Sequence, residues 1–532
     1  MPITPTYPGV YIDELPSSVH TITGVPTSVA AFVGAASRGP TDAPVHIGSF
    51  GDFQRTFGGV SSDSPLSYAV YQFYLNGGSD AEVVRLAHSD AVPATLDLGD
   101  GVKLAAIGPG TWGDWLRARV DYQTSSGPPA GKAAATSYNL KVLDTRTGVL
   151  ESYLNISTTA TDPQALDKMI SSSSLIAIPA GGTALNTAPP ANATIDPADP
   201  DQNPFSDAHS DRYTKAGGGE PGSALALADY TGGATGQADK LGIYQLYKTD
   251  IFNLLCLPGA PADILTAAAT LCVERRAILL VDPPGWSSVA NAVSVMGGTS
   301  PPVSLDVAGN AAVYFPNVQI ADPSQNGITV TKPPCGTVAG IAARTDVARG
   351  VWKAPAGTDA SLNGVTGLAT GLDGAGTPLT LTDNDNGLLN PLGVNCLRSF
   401  PVVGPVVWGA RTMRGADRLA DQWKYLPIRR LALFIEESLF RGTQWVVFEP
   451  NDEPLWASIR MNVGTFMNTL FRQGAFQGST ASQAYLVKCD QENNPQSDID
   501  RGIVNILVGF APLKPAEFVI IQIQQLAGQL QS

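Results

Sequence analysis

The chain has 532 residues, with 33 basic and 47 acidic side chains and a formal net charge of −14, which argues against nucleic acid as its main partner. Its length suits about two to four domains, and its hydrophobic share of 43% is that of a globular protein. Only 15% of residues are charged, below the usual rough quarter, so the surface is expected to be either neutral loop or contact between copies of the chain.

The first twenty residues read as an arm. Tyr7-Pro8-Gly9 opposes a helix start, and Val10-Tyr11-Ile12-Asp13-Glu14-Leu15 is a strand closed by Pro16. Residues 28–34 form an apolar run of strand length. A helix over 66–75, stopped by Gly77-Gly78, and a strand at 83–86 follow. From about 92 to 228 the character changes. Strands at 140–143 and 149–156 flank Asp144-Thr145-Arg146-Thr147-Gly148, a hairpin signal. In the second strand Leu150, Ser152, Leu154 and Ile156 are expected on one face. Pro- and Gly-rich stretches at 189–204 and 217–222 read as exposed loops.

Continuous apolar runs then resume at 251–257, 277–281 and 311–315, separated by helix-length segments such as 264–275. Strands buried on both faces of an α/β sheet have this pattern. Residues 353–390 are rich in Gly, Thr and Asp and read as a long loop. A helix over 428–440 and a buried strand over 444–448 come next. Asn451 or Asp452 then caps a second helix, with Pro454 in its first turn. Along it Trp456, Ile459, Val463, Phe466, Met467, Leu470 and Phe471 recur at spacings of three and four, while Arg460, Asn462, Thr465, Asn468 and Arg472 occupy the other face. Phe518-Val519-Ile520-Ile521-Gln522-Ile523-Gln524 reads as a terminal strand. A bare edge of that kind is an aggregation hazard unless it pairs within its own domain or with a neighbour.

Chemistry-bearing motifs are few. Gly298-Thr299-Ser300 looks like the start of a subtilase serine motif, but the only histidines are His20, His46, His88 and His209, and none is followed by Gly. In Asp383-Asn384-Asp385-Asn386-Gly387 the Gly falls at position five, and Val394 stands where a calcium loop needs Glu. That segment reads as a turn rich in side-chain-to-backbone bonds. The five cysteines, Cys256, Cys272, Cys335, Cys396 and Cys489, include no CxxC pair, which fits reduced thiols and cytoplasmic assembly. No spacing suggests a metal site, a phosphate-binding loop or any cofactor. Neither a signal segment nor an apolar run near the roughly 20 residues of a membrane helix is evident. Residues 398–430 hold seven basic groups against two acidic ones, a segment suited to an acidic protein partner or, more plainly, a solvated face.

The block running through Asp383-Asn384-Asp385-Asn386-Gly387-Leu388-Leu389-Asn390-Pro391, Arg429-Arg430-Leu431-Ala432-Leu433-Phe434-Ile435-Glu436-Glu437 and Trp445-Val446-Val447-Phe448-Glu449-Pro450-Asn451-Asp452 resembles the C-terminal domain of contractile tail sheath proteins of phages and phage-like injection systems. Tyr7-Pro8-Gly9-Val10-Tyr11 and Ser49-Phe50-Gly51-Asp52-Phe53 resemble that family's N-terminal block. The resemblance covers residues 1–90 and roughly 230–530, and is densest over 383–515.

It implies an α/β plus α+β multidomain protein. The parts would be an N-terminal β arm (1–20), a discontinuous subtilisin-like α/β core (21–91 and 229–352), a β-rich inserted outer domain (92–228), the loop 353–390, a C-terminal α+β domain (391–515) and a C-terminal β arm (516–532). It also implies a non-enzymatic subunit that polymerises helically around an inner tube and contracts to drive the tube through a cell envelope. Its partners would be other copies, the tube protein, and baseplate and cap or terminator proteins, with no direct nucleic-acid contact and no membrane insertion. Tyr7, Val10, Tyr11, Ile12 and Leu15, with Phe518, Val519, Ile521 and Ile523, are the expected inter-subunit arm residues. Arg429, Arg430, Arg460, Asn468 and Arg472 are the candidates for facing the tube. The alternatives are a surface-binding, adhesin-like appendage built on the inserted domain, or a serine hydrolase.

Overall fold

The computed structural model describes residues 20–124, 136–299, 301–372 and 374–522. It divides into two compact units, one of residues 1–27, 348–354 and 425–532, the other of 28–347 and 355–424. The N-terminal arm residues Tyr7, Val10, Tyr11, Ile12 and Leu15, together with Ser300 and Ile523, lie outside the described residues.

The larger unit is built on an eight-stranded sheet. Its strands run in the order Gly404–Val407, Val394–Phe400, Ala311–Phe315, Ile278–Val281, Leu254–Cys256, Ala30–Ala35, Ala81–Leu86 and Val45–Ile47. The inner six are parallel and the two edge strands antiparallel. Ile278–Val281 and Ala311–Phe315 are buried along their whole length, which is why they read as unbroken apolar runs. Helices Pro65–Leu75 and Leu265–Glu274 make crossovers between parallel neighbours. The first is capped by Ser64, whose Oγ accepts the Ser67 N–H at 3.1 Å, with Pro65 at the first position. Leu255, Leu279, Val313 and Trp286 join Leu265, Ala268 and Cys272 in one core.

The chain leaves this sheet after Ala81–Leu86 and forms an inserted β module with its own core, including Leu104, Leu116, Val120, Leu140, Val142 and Ile156. Its main sheet has the order Thr214–Lys215, Leu116–Asp121, Ser137–Asp144, Leu150–Ser157. One expectation here is corrected. Leu150 and Leu154 are 52% and 53% exposed, but Ile156 is fully buried. A bulge at Asn155, with φ of 55°, shifts the register between Tyr138 and Leu140 and turns Ile156 to the opposite face.

Residues 353–390 are not a long loop. Val365–Thr370 pairs with Asn317–Ala321, and Thr377–Pro378 extends that sheet. Asp383–Leu389 is a helix, held by a reciprocal box in which Thr382 Oγ1 accepts the Asp385 N–H and Asp385 Oδ2 accepts the Thr382 N–H. Val394–Phe400, expected in a C-terminal domain, pairs instead with Ala311–Phe315 of the large sheet.

The smaller unit packs helices Leu426–Gly442 and Glu453–Arg472 with a two-stranded ribbon of Tyr485–Lys488 and Leu507–Phe510. Leu431, Ile435, Trp456, Ile459, Val463, Met467 and Leu470 are buried together. Residues 20–27 run along the same core. The His20 ring stacks 4.0 Å from Trp445, Ser438 Oγ accepts the Val25 N–H at 3.2 Å, and Arg430 donates to the Thr27 carbonyl at 3.0 Å. The expected strand at 444–448 is a 3-10 turn, Gln444–Val446, followed by Val447 and a fully exposed Phe448 with φ of 73°.

Candidate assembly surfaces

The apolar tail departs furthest from what a solvated chain should show. Phe518, Val519, Ile520 and Ile521 are each more than 70% exposed and belong to no strand. A run of four consecutive large apolar side chains held in water costs free energy, since each would gain about 1.5–3 kcal/mol on full burial. The same unit offers a receiver. The inner face of the ribbon, Tyr485, Val487, Val508 and Phe510, packs on the core. Its outer face shows Leu486 and Leu507, each about half exposed. Among the described residues the strands pair only with each other along their length. A two-stranded ribbon with open edges is marginal alone and gains stability from added strands. The sequence reading missed it, although the alternation Tyr485-Leu486-Val487-Lys488 carried the signal.

The candidate tube-facing residues separate into two groups. Arg430 is buried, and the Arg429 side chain is 13% exposed, 3.2 Å from Glu436. Burial lowers the Arg429 pKa, and Glu436 opposes that shift. Arg460 donates to the Cys489 carbonyl and to Glu453. Asn462, placed on the polar face by its spacing, is buried, and its Oδ1 accepts the His20 N–H at 3.1 Å. The open residues of Glu453–Arg472 are Glu453 and Pro454 in its first turn, then Ala457, Met461, Thr465, Thr469 and Arg472, with Asn468 and Gly464 partly covered. This face is therefore largely neutral.

Much of the basic segment at 398–430 is also paired with carboxylates within the chain, while Arg418 is exposed and in no ion pair among the described residues. Arg398 meets Asp383 at 2.9 Å, Arg414 meets Asp421 at 2.8 Å, and Asp417 takes both Arg411 at 3.0 Å and Lys424 at 2.6 Å. No group of metal-ligating side chains exists among the described residues, and all five cysteines are buried and unpaired.

Two models of one family match the sequence: the phage tail sheath protein central domain over residues 232–413, and the phage tail sheath C-terminal domain over 420–525. Together they span more than half of the chain. The protein belongs to the phage tail sheath family.

Tail sheath proteins are structural subunits, not enzymes. Among relatives, the tail sheath protein of Vibrio phage KVP40 is 24% identical over 293 residues, which cover 51% of this chain and 41% of that protein. The match thus spans less than half of that relative's length. Two solved structures share the fold across nearly the whole chain. The anti-feeding prophage helical sheath in its contracted state has a TM-score of 0.56 at 22% identity, with 98% of this chain and all of that one covered. The sheath tail protein of Desulfitobacterium hafniense has a TM-score of 0.53 at 12% identity, covering 95% and 100%. At these identities the likeness establishes a mixed α/β multidomain sheath fold. The placement of every arm and tube-facing residue rests on this chain's own geometry.

Proposed function

We propose that this chain is the sheath subunit of a contractile injection apparatus. Copies assemble helically around an inner tube on a baseplate, store free energy in an extended lattice, and release it by moving to a shorter and wider one that drives the tube through a target envelope. The observation that carries this reading is the coexistence, in one tail sheath chain, of an exposed apolar terminal segment and an open-edged ribbon. A terminal strand of one copy laid on the ribbon of the next forms main-chain bonds worth about 0.5–1.5 kcal/mol each. Repetition through the lattice makes such modest contacts strong by effective concentration. The N-terminal arm at residues 7–15 plays the same part at the other end of the chain. The arms act as hinges while the folded bodies reorient.

The finer partition belongs to this reading: a subtilisin-like α/β core, an outer inserted domain, a C-terminal assembly domain, assembly in the cytoplasm, and a cap or terminator protein that ends the polymer. The tube contact falls on the outward face of the Glu453–Arg472 helix, with Arg472 and Asn468 among its polar members. The buried Arg430 and the tethered Arg429 and Arg460 serve the fold of the unit instead.

Negative-stain microscopy of the purified chain tests the assignment. Hollow helical tubes are expected, and a monodisperse monomer at every concentration would refute it. Deleting residues 1–16 should stop polymer growth while leaving a folded monomer. Arg472→Glu should weaken co-assembly with the tube protein, and undiminished co-assembly would remove the helix face from the interface.

A further inference from the structure

The main sheet of the inserted module is asymmetric. On its outer face, opposite the core, the half nearest Thr214–Lys215 is covered. Arg117 lies over the Tyr213 ring at 4.6 Å and donates to the Phe205 carbonyl, and Arg119 donates to the Arg212 carbonyl at 2.7 Å. Among the described residues the other half is bare, with Leu150 and Leu154 half exposed. Beyond the Ser157–Ala165 bridge at its end, no described strand pairs with the outer edge of Leu150–Ser157.

Exposed edges are normally guarded by outward charges. This strand has one charged side chain, Glu151, and it is turned away. Its carboxylate accepts from Ser173 Oγ at 2.5 Å and from the Ser174 N–H at 2.8 Å. An unguarded edge with two outward leucines is the pattern of a covered surface.

The charges around the module say what covers it. Beside the bare edge stand Lys141, paired across the strands with Ser152, and the exposed Arg146, whose guanidinium lies 5.5 Å from the Trp115 ring. Neither cation is in an ion pair among the described residues. At the opposite end of the sheet, the loop leading into Thr214–Lys215 exposes Asp196 and Asp211, which are likewise in no ion pair there. One edge is apolar and basic; at the other the 196–211 segment is acidic, with Lys215 of the edge strand as an exposed cation beside it.

We infer that the Leu150–Ser157 edge of one copy docks head to tail on the acidic 196–211 face of the inserted module of a second copy. Such a contact is heterologous, so it propagates through open helical arrays and does not close on a dimer. This inference rests on the sheath reading and adds an interface outside the terminal arms.

A thiol probe and a charge swap test it on the full chain. All native cysteines are buried, so Leu154→Cys supplies one reactive site for a maleimide dye. In tubes visible by microscopy, labelling should slow about tenfold or more against the unassembled chain. Lys141→Glu with Arg146→Glu should raise the protein concentration needed for assembly by about tenfold, since two exposed pairs become repulsive. Adding Asp196→Lys and Asp211→Lys to that variant should restore assembly, an effect that a purely structural role of these side chains would not produce. Tubes in which Cys at position 154 reacts as fast as in the free chain, or a four-site variant no better than the two-site one, overturn the inference while leaving the sheath reading in place. A chain that never forms tubes overturns both.

Discussion

Arg38 and Asp144 meet as a buried ion pair, 2.8 Å apart, with side chains 8% and 2% exposed. Arg38 follows the strand Ala30–Ala35, and Asp144 ends a strand of the inserted module. The Asp144 carboxylate also accepts from Thr147 Oγ1 and the Arg146 N–H, which fixes the hairpin turn. Arg38 donates as well to the carbonyls of Gln54 and Arg55. A second buried arginine, Arg85, donates to the carbonyls of Gly39 at 2.5 Å and Pro109 at 2.6 Å. The module is thus clamped to the sheet by two guanidiniums.

Removing one member of the Arg38–Asp144 pair leaves a buried charge without its counterion. Arg38→Ala is expected to cost about 3–5 kcal/mol, read as a lower urea midpoint with an unchanged slope. Replacing both partners with apolar side chains should cost less than the sum of the two single changes. Additive losses would show that the two residues act independently.

Asp282 gives the chain a pH dependence. Burial pushes its carboxyl up to about 7, against the pull of the bond it accepts from the Cys335 N–H. The ordinary unfolded value is about 3.9. Below that value the group is protonated in both states and adds no slope. Between the two values the folded state holds the extra proton, so stability falls as pH rises. Above about 7 the full penalty applies, on the order of 4 kcal/mol. Asp282→Asn should therefore flatten the stability profile between pH 4 and pH 8. Parallel curves for the two proteins would count against an ionisable group at this depth.

Gly464 sits inside the Glu453–Arg472 helix, and a Cβ there would meet nothing within 4 Å. Gly464→Ala should stabilise the isolated chain by about 0.5–1 kcal/mol through helix propensity alone. If the tube approaches this face closely, the same change should weaken co-assembly with the tube protein. A more stable monomer with undiminished tube binding would place the tube contact elsewhere.

Replacing Phe518 and Ile521 with Ser should leave the melting temperature of the monomer unchanged within about one degree, because these side chains touch little in the free chain. Polymer yield should collapse. A matching loss of monomer stability would mean that the tail packs on its own body.

The strands of the large sheet were legible because burial on both faces leaves an unbroken apolar run, as in Ile278-Leu279-Leu280-Val281. The Glu453–Arg472 helix was legible from the period of its apolar face and from its Asp452 cap. What failed depended on distant partners. Val365–Thr370 carries little apolar signal and is a strand only because Asn317–Ala321 lies beside it. Trp445-Val446-Val447-Phe448 has strand propensity but no strand beside it among the described residues, and it turns out into solvent at Phe448. The basic segment looked free because its counterions, Asp383 among them, are not apparent from local charge spacing. Asn462 shows the limit of face assignment: its spacing is polar, yet a main-chain N–H from residue 20 draws it inside.

The helices Pro65–Leu75 and Cys335–Arg349 approach so closely that a Cβ on Gly336 would lie 2.1 Å from the Ala69 carbonyl oxygen, and one on Gly340 would lie 2.5 Å from that of Phe73. Peptide groups touch there with no side chains between them. Sliding one helix along the other would require carbonyl oxygens to climb over neighbouring main chain, since there is no layer of pliable hydrocarbon to shear. A mechanical load applied at one end of this body should therefore reach the other end undissipated, as through a strut.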